Sequence, residues 1–217
     1  KPVLERNFKQ KKIAHVGMPY GFDPLDHKVK IDHLEYPWEA GTKAYVYAGA
    51  LLPKSIPFLE LLFQSVKNQI EKGVWANEQK LYFLGTSRST KHSISDYAKK
   101  YEIDDVVFEY QSRFPFLHIL NFLSAAEGVM VLGSTEQHYT ASKIFQSLLS
   151  KRPVFAVFHH LSSAVQIMQA CKADDYLVQY KEVIETSFEH ELATKVEQFF
   201  NKSKSWHPDL TVLDSYS

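Results

Sequence analysis

Short, continuous runs of apolar residues recur along the chain, and helical patterns lie between them. The runs are uninterrupted rather than alternating with polar residues, which is typical of strands that are covered on both faces. They predict strands at residues 13–17, 45–50, 81–84, 106–108, 129–132, 154–158 and 176–178.

Between these runs, apolar residues recur at spacings of three and four, which places them on one face of a helix. The predicted helical faces are formed by Leu59, Leu62, Phe63, Val66 and Ile70; by Phe116, Ile119, Leu120 and Leu123; by Ala141, Ile144, Phe145, Leu148 and Leu149; and by Phe188, Leu192, Val196 and Phe199, with a further helix starting near Ser162. Strand and helix alternate from about residue 43 to residue 200. This order predicts an α/β fold, a doubly wound, mostly parallel sheet with helices on both faces. Residues 45–50 and 129–132 are its expected central strands, and residues 140–151 one of its helices.

Three segments follow from this pattern. Residues 43–201 form the predicted domain, and residues 1–42, which contain four prolines and three histidines, are expected to be an arm or interdomain linker. Residues 202–217 are expected to be a polar tail. The chain begins at Lys1, which favours a piece of a longer protein, although processing of a precursor would look the same.

Composition narrows the functional classes. Of the 217 residues 45% are hydrophobic, enough for a sizeable core, and 25 basic residues balance 25 acidic ones. A chain without net charge has no overall field to attract nucleic acid or an anionic membrane, so we expect neither partner. No apolar run approaches the roughly 20 residues of a membrane span. The single cysteine, Cys171, excludes an internal disulfide framework and suits the reducing cytoplasm.

The most informative stretch follows the predicted strand 129–132. Ligands of parallel α/β sheets bind at the carboxyl ends of the strands, and this strand ends there at Gly133. Thr140 is a suitable N-cap for the helix that follows, which would leave the backbone N–H groups of residues 141–143 and the Lys143 ammonium free for an anion, phosphate above all. The alternative is that Thr140 and Ser142 only cap the helix and that Lys143 is solvated.

The order of these elements resembles a known family. The segment GVMVLGSTEQHYTASKIFQSLLSKRPVFAV is similar to the carboxyl-terminal, nucleotide-sugar-binding domain of retaining glycosyltransferases with the GT-B fold. YVYAGALLPKS resembles the first strand and turn of that domain, and DDVVFEY followed by PFLHILNFLSAAEG resembles its middle portion. The resemblance covers about residues 43–180.

The resemblance also implies site residues, with departures. The two glutamates that hold the donor sugar and the ribose in the family fall on His138 and Gln146 here, and Ala50 stands where an arginine is usual. Residues implied to contact the donor or its phosphates are Lys54, His138, Tyr139, Thr140, Ser142, Lys143 and Gln146. Candidates for sugar or base contacts are Gly49, Tyr110, Arg113, Glu136, His159 and Ser162. Because His159 and His160 are adjacent and diverge, with no spaced Cys or carboxylate partner, we expect no metal site.

The implied function is transfer of a sugar from a nucleotide diphosphate sugar to an acceptor. The nucleotide sugar is the substrate, and no cofactor is expected. The resemblance implies that an acceptor glycan or lipid-linked sugar binds a missing N-terminal domain, through which the cytoplasmic protein could contact a membrane, and that this chain alone is inactive. Two alternatives stay open: a non-catalytic nucleotide- or sugar-phosphate-binding module, favoured by the absent glutamate pair, and a nucleotide-sugar epimerase.

Overall fold

Six parallel strands form the central sheet. The computed structural model describes residues 22–87, 92–134, 142–181, 186–201 and 206–216. Within these ranges the strands are β1 Lys43–Ala48, β2 Gln79–Leu84, β3 Val107–Tyr110, β4 Gly128–Leu132, β5 Val154–His159 and β6 Leu177–Tyr180. The predicted strand at residues 13–17 lies outside the described residues.

The order of the strands places a crevice in the middle of the sheet. The order is β3-β2-β1-β4-β5-β6, so the chain winds outwards in one direction from β1 and in the other from β4. Tyr47 of β1 is paired with Phe83 of β2 on one side and with Met130 of β4 on the other. The crossovers diverge at the carboxyl ends of β1 and β4, which is where ligands bind in sheets of this kind.

Six described helices cover the two faces of the sheet. They are α1 Ile56–Glu71, α2 Ile94–Lys100, α3 Phe116–Ala125, α4 Lys143–Leu149, α5 Ser163–Ala170 and α6 Thr186–Asn201. Helices α1, α2 and α6 belong to one hydrophobic core, and α3, α4 and α5 belong to a second core on the opposite face. The predicted doubly wound α/β fold is therefore confirmed, and the sheet is parallel throughout the described strands. None of the helices in these ranges has the length and apolar character of a membrane span.

Two helix predictions need correction. Helix α4 begins at Lys143 and ends at Leu149, so the predicted range 140–151 is too long. Its end is set by Lys151, whose φ of 59° is left-handed and cannot continue a helix. Helix α2 was not predicted, although Ser93 and Asp96 form a capping box at its start, a signal that the sequence contains.

The segments on either side of the predicted domain pack against it. Phe22 contacts the ring of Phe145 on α4, with centroids 5.2 Å apart, and Tyr216 contacts the same ring at 5.2 Å. Leu213, in the 3-10 helix Leu210–Tyr216, is buried in the second core. Residues 206–216 thus differ from the polar tail expected for them, because their apolar side chains pack against the second core. The domain boundaries themselves stay predictions.

Candidate functional site

A cavity of about 580 Å³ lies at the carboxyl ends of β1 and β2, between α3 and α4. Its volume falls in the range of roughly 300–1,000 Å³ that is usual for small-molecule sites. Most of its wall is apolar and comes from α3, the strand ends and Phe114. The charged or amide side chains that line it are Asp23, Asp26, Arg113, Lys143 and Gln146. The cavity therefore offers a few polar groups on a largely apolar surface.

Lys143 provides the cation at the strand ends. Its Nζ donates a hydrogen bond to the Tyr47 hydroxyl at 3.0 Å and lies 4.2 Å from the centre of the Tyr47 ring. The residue is half-buried, and its burial lowers the pKa of Lys143 to about 8. In the described part of the chain, no carboxylate forms an ion pair with it. The cavity thus contains a desolvated cation whose charge is available to a ligand.

Glycines make this arrangement possible at the ends of both central strands. Gly49 follows β1 with φ +111°, and a Cβ there would lie 3.3 Å from Lys143 Nζ. Gly133 follows β4, and a Cβ there would lie 2.4 Å from the Val157 carbonyl oxygen. A side chain at position 49 would therefore crowd the ammonium, and one at position 133 would force β4 and β5 apart.

The segment before β1 covers one side of the cavity. His27, in the 3-10 helix Pro24–Lys28, has its Nε2 2.6 Å from the Gln146 side-chain oxygen, so this nitrogen donates. Burial lowers the pKa of His27, while the bond to Gln146 opposes that change. Phe22 packs on Phe145 next to this contact. The oxygen of Gln146 therefore accepts from His27, and within the described ranges no acceptor bonds its amide N–H groups.

Five of the predicted site residues meet at the cavity. Gly49, Arg113, Ser142, Lys143 and Gln146 all line it. Ser142 directly precedes α4, the position that Thr140 was expected to take, and its hydroxyl caps no backbone N–H. Thr140 lies outside the described residues, as do Glu136, His138 and Tyr139, so their predicted roles stay predictions.

The other described candidates lie away from the cavity lining. Lys54 is exposed in the 3-10 helix Pro53–Ser55. The Tyr110 hydroxyl donates to the Pro37 carbonyl oxygen at 3.1 Å. His159 is buried at the end of β5, where its Nδ1 accepts from the Leu161 N–H at 3.2 Å. The Ser162 hydroxyl accepts from the Ala164 N–H and caps α5. For His159 and Ser162, these contacts supply a structural role that the sequence did not distinguish from ligand binding.

Several residues of the site were not predicted. Tyr47 has the pattern of a core residue on a buried strand, and it takes part through its hydroxyl, which accepts from the Lys143 ammonium. Asp23 and Asp26 belong to the segment expected to be a linker. No local signal marks these residues, because their proximity to α4 results from contacts between distant parts of the chain.

The sequence matches no protein-family model and no curated protein. Solved structures show the fold. The pneumococcal O-GlcNAc transferase GtfA, in complex with UDP and GlcNAc, is similar with a TM-score of 0.65 and 12% identity over 99% of this chain and 40% of that one. WaaG, a glycosyltransferase of lipopolysaccharide biosynthesis, is similar with a TM-score of 0.55 and 9% sequence identity. This match covers 92% of this chain and 55% of WaaG.

A third similar structure is a mutant of TarM from S. aureus, in complex with fondaparinux, α-GlcNAc-glycerol and UDP. It gives a TM-score of 0.50 and 17% identity, covering 87% of this chain and 35% of that one. The chain thus has the Rossmann-like fold found in glycosyltransferase structures of the GT-B type, and it spans about 35 to 55% of the length of these three structures.

Proposed function

We propose that this chain is the nucleotide-sugar donor-binding domain of a glycosyltransferase. The observation that carries the proposal is the position of Lys143. Its ammonium lies at the carboxyl ends of the central strands, lines a cavity of nucleotide size, and has no carboxylate partner among the residues described. A cation placed in this way is suited to the diphosphate of a nucleotide sugar.

The remaining lining residues suit the other parts of such a ligand. The Gln146 amide N–H groups, which have no acceptor among the described residues, can donate to a ribose hydroxyl. The apolar wall formed by Phe114 and α3 can cover a base, with Arg113 at its edge. Ser142 is exposed beside Lys143 and can reach a phosphate oxygen. The nucleotide would thus lie along the cavity, with its diphosphate at Lys143.

This position gives Lys143 a chemical role. When the acceptor hydroxyl oxygen bonds to the anomeric carbon of the sugar, the bond between that carbon and the phosphate oxygen breaks. The hydroxyl proton is released to solvent, and the nucleoside diphosphate leaves with the bonding electrons and the additional negative charge that they carry. A fixed cation stabilises that charge, which is often the largest contribution to catalysis of such a step. We expect a hexose or hexose derivative as the transferred group, and an acceptor glycan or lipid-linked sugar bound by a second domain outside this chain. The chain alone should then bind donor and transfer no sugar.

A binding panel tests the proposal. UDP, GDP, ADP, CDP and their sugar conjugates are added to the parent chain, to Lys143→Met and to Lys151→Met, and thermal unfolding is measured. One diphosphate should stabilise the parent by about 2.7 kcal/mol at a hundred times its dissociation constant. The Lys143→Met variant should lose about tenfold to hundredfold in affinity, because one charge-assisted contact is worth about 1.5–3 kcal/mol. Lys151 is exposed just beyond α4, so its variant should bind like the parent.

The panel and an activity assay together separate the alternatives. If no nucleotide stabilises the chain, the donor-binding proposal is wrong. Binding without sugar transfer by a protein that includes the second domain would identify a non-catalytic module. Formation of an epimerised sugar nucleotide would identify an epimerase.

A further inference from the structure

We propose that Tyr47 is the positioning residue of the anion site, whose hydroxyl and ring hold the Lys143 ammonium across the end of β1 and facing the cavity. The identity of the anion rests on the proposed function. The contact between Tyr47 and Lys143 does not depend on that function and can be tested without any ligand.

The hydroxyl of Tyr47 is oriented to accept. Tyr47 is buried, with 1% of its surface exposed, and its side chain packs in the core on the α1 face of the sheet. A phenol has one proton to donate, and here that proton goes to the Ala50 carbonyl oxygen at 2.9 Å. The oxygen therefore presents its lone pairs to Lys143 Nζ at 3.0 Å.

The two residues come from opposite sides of the sheet. Helix α4 packs on the face opposite to the Tyr47 ring, so the Lys143 side chain must pass over the end of the sheet to reach it. The ammonium then lies 4.2 Å from the ring centroid, within the range of a cation–π interaction. The missing side chain of Gly49 leaves the room for this crossing, since a Cβ there would be 3.3 Å from Nζ.

Tyr47 is a neutral partner of Lys143, and this leaves the positive charge of the ammonium in place. A carboxylate at this position would neutralise the ammonium and repel an incoming phosphate. The Tyr47 hydroxyl and ring stabilise the charge without cancelling it, so the positive charge remains for a ligand. The other charged side chains that line the cavity are Arg113, Asp23 and Asp26, and no ion pair joins either acid to Lys143.

The deciding measurement is a pH titration of the ligand-free protein. The parent chain, Tyr47→Phe and Tyr45→Phe are labelled with ¹³C-lysine, and the Lys143 signal is assigned by its loss in Lys143→Arg. Tyr45 is the matched control, because it is buried on the same strand and face and its hydroxyl also donates to a backbone carbonyl, that of Phe200 at 3.1 Å.

We expect the Lys143 titration in the parent to be centred near pH 8. Tyr47→Phe keeps the ring and removes the acceptor, which should move that midpoint down by about one pKa unit. Tyr45→Phe should leave the midpoint in place. An unchanged midpoint in Tyr47→Phe, or equal changes in both variants, would overturn the proposal. If Tyr47→Phe does not fold, the parent protein decides the question. Nuclear Overhauser contacts between the Lys143 ε protons and the Tyr47 ring would support the proposal, and their absence would overturn it.

A second arm links the contact to binding. If UDP requires the protonated lysine, a midpoint lowered by one unit predicts about fivefold weaker binding to Tyr47→Phe at pH 8 and almost none of that loss at pH 6. Should none of the four nucleoside diphosphates bind parent or variant while the midpoint of Lys143 moves as expected, the positioning role stands and the proposed function fails. A loss of UDP affinity that is equal at both pH values, with an unmoved midpoint, overturns the positioning role alone.

Discussion

Replacing Lys143 by methionine should make the protein more stable while it removes the anion site. Methionine retains most of the length and volume of the lysine stem, so the packing of α4 is preserved. What changes is the desolvated ammonium. Its pKa falls from the ordinary 10.5 to about 8 because of burial, and at about 1.4 kcal/mol per pKa unit this corresponds to about 3 kcal/mol of lost stability.

The pH dependence of this difference follows from linkage. Between pH 8 and 10.5 the unfolded chain holds the lysine proton and the folded chain does not, so the stability of the parent rises with pH across that window. Below pH 8 the penalty is fully present. The advantage of Lys143→Met should therefore be about 3 kcal/mol at pH 7 and should shrink towards zero by about pH 10.5.

Urea unfolding of both proteins at several pH values between 7 and 10.5 measures this advantage. At neutral pH the same free energy corresponds to roughly 6–12 °C in melting temperature for a chain of this size. Lys151→Met is the control, because Lys151 is exposed and should show neither effect. Equal stabilities at pH 7, or a difference that does not change with pH, would refute the reasoning that the ammonium is desolvated.

Three further changes test other parts of the site. Gly49→Ala forces a side chain into φ +111° and against Lys143 Nζ, so urea unfolding should show a loss of about 1–3 kcal/mol and a UDP titration should show weaker binding. Ser162→Ala removes the α5 cap and should cost about 1 kcal/mol without changing UDP affinity; a loss of affinity would return Ser162 to the binding site. The pKa of His27 is lowered by burial, so the unfolded chain gains this proton first and the parent should lose stability as the pH falls below about 6.5. His27→Gln should weaken that acid dependence, and identical slopes in the two proteins would contradict it.

The fold could be predicted because burial requires apolar residues in patterns that can be recognised within a short segment of the sequence. A strand covered on both faces must be apolar at every position, as Val129–Leu132 is, and a helix on a sheet must repeat its apolar residues every three or four positions, as Ile144, Phe145 and Leu148 do. Alternation of the two patterns leaves few topologies other than a doubly wound sheet. The ends of helices are harder to predict from such patterns. The end of α4, for example, depends on the backbone conformation of Lys151.

The site was predictable only to the extent that it follows from position in the sheet. The carboxyl-edge rule directed attention to Lys143, because it adjoins the start of the helix that follows a recognisable strand. Gly49 and Gln146 were implied by the family resemblance. By the carboxyl-edge rule His159 and Ser162 were equally good candidates, and only the folded chain shows that His159 accepts from the Leu161 N–H and that Ser162 caps α5.

The contacts that shape the cavity were decided by tertiary structure alone. Lys143 meets Tyr47 from 96 residues away, and Gln146 meets His27 from 119 residues away. Periodicity reports whether a residue faces the core, but it does not report which distant polar atom will lie opposite. That depends on the strand order, which places β1 beside β4. It also depends on Gly49, which has no side chain and so leaves space for the Lys143 ammonium over the end of β1. The sequence by itself therefore determined the layers of this protein and the edge of the sheet at which a ligand is expected. The folded chain determined the charge and the hydrogen-bond donors that a ligand would meet there, because these depend on the distances between side chains that are remote in sequence.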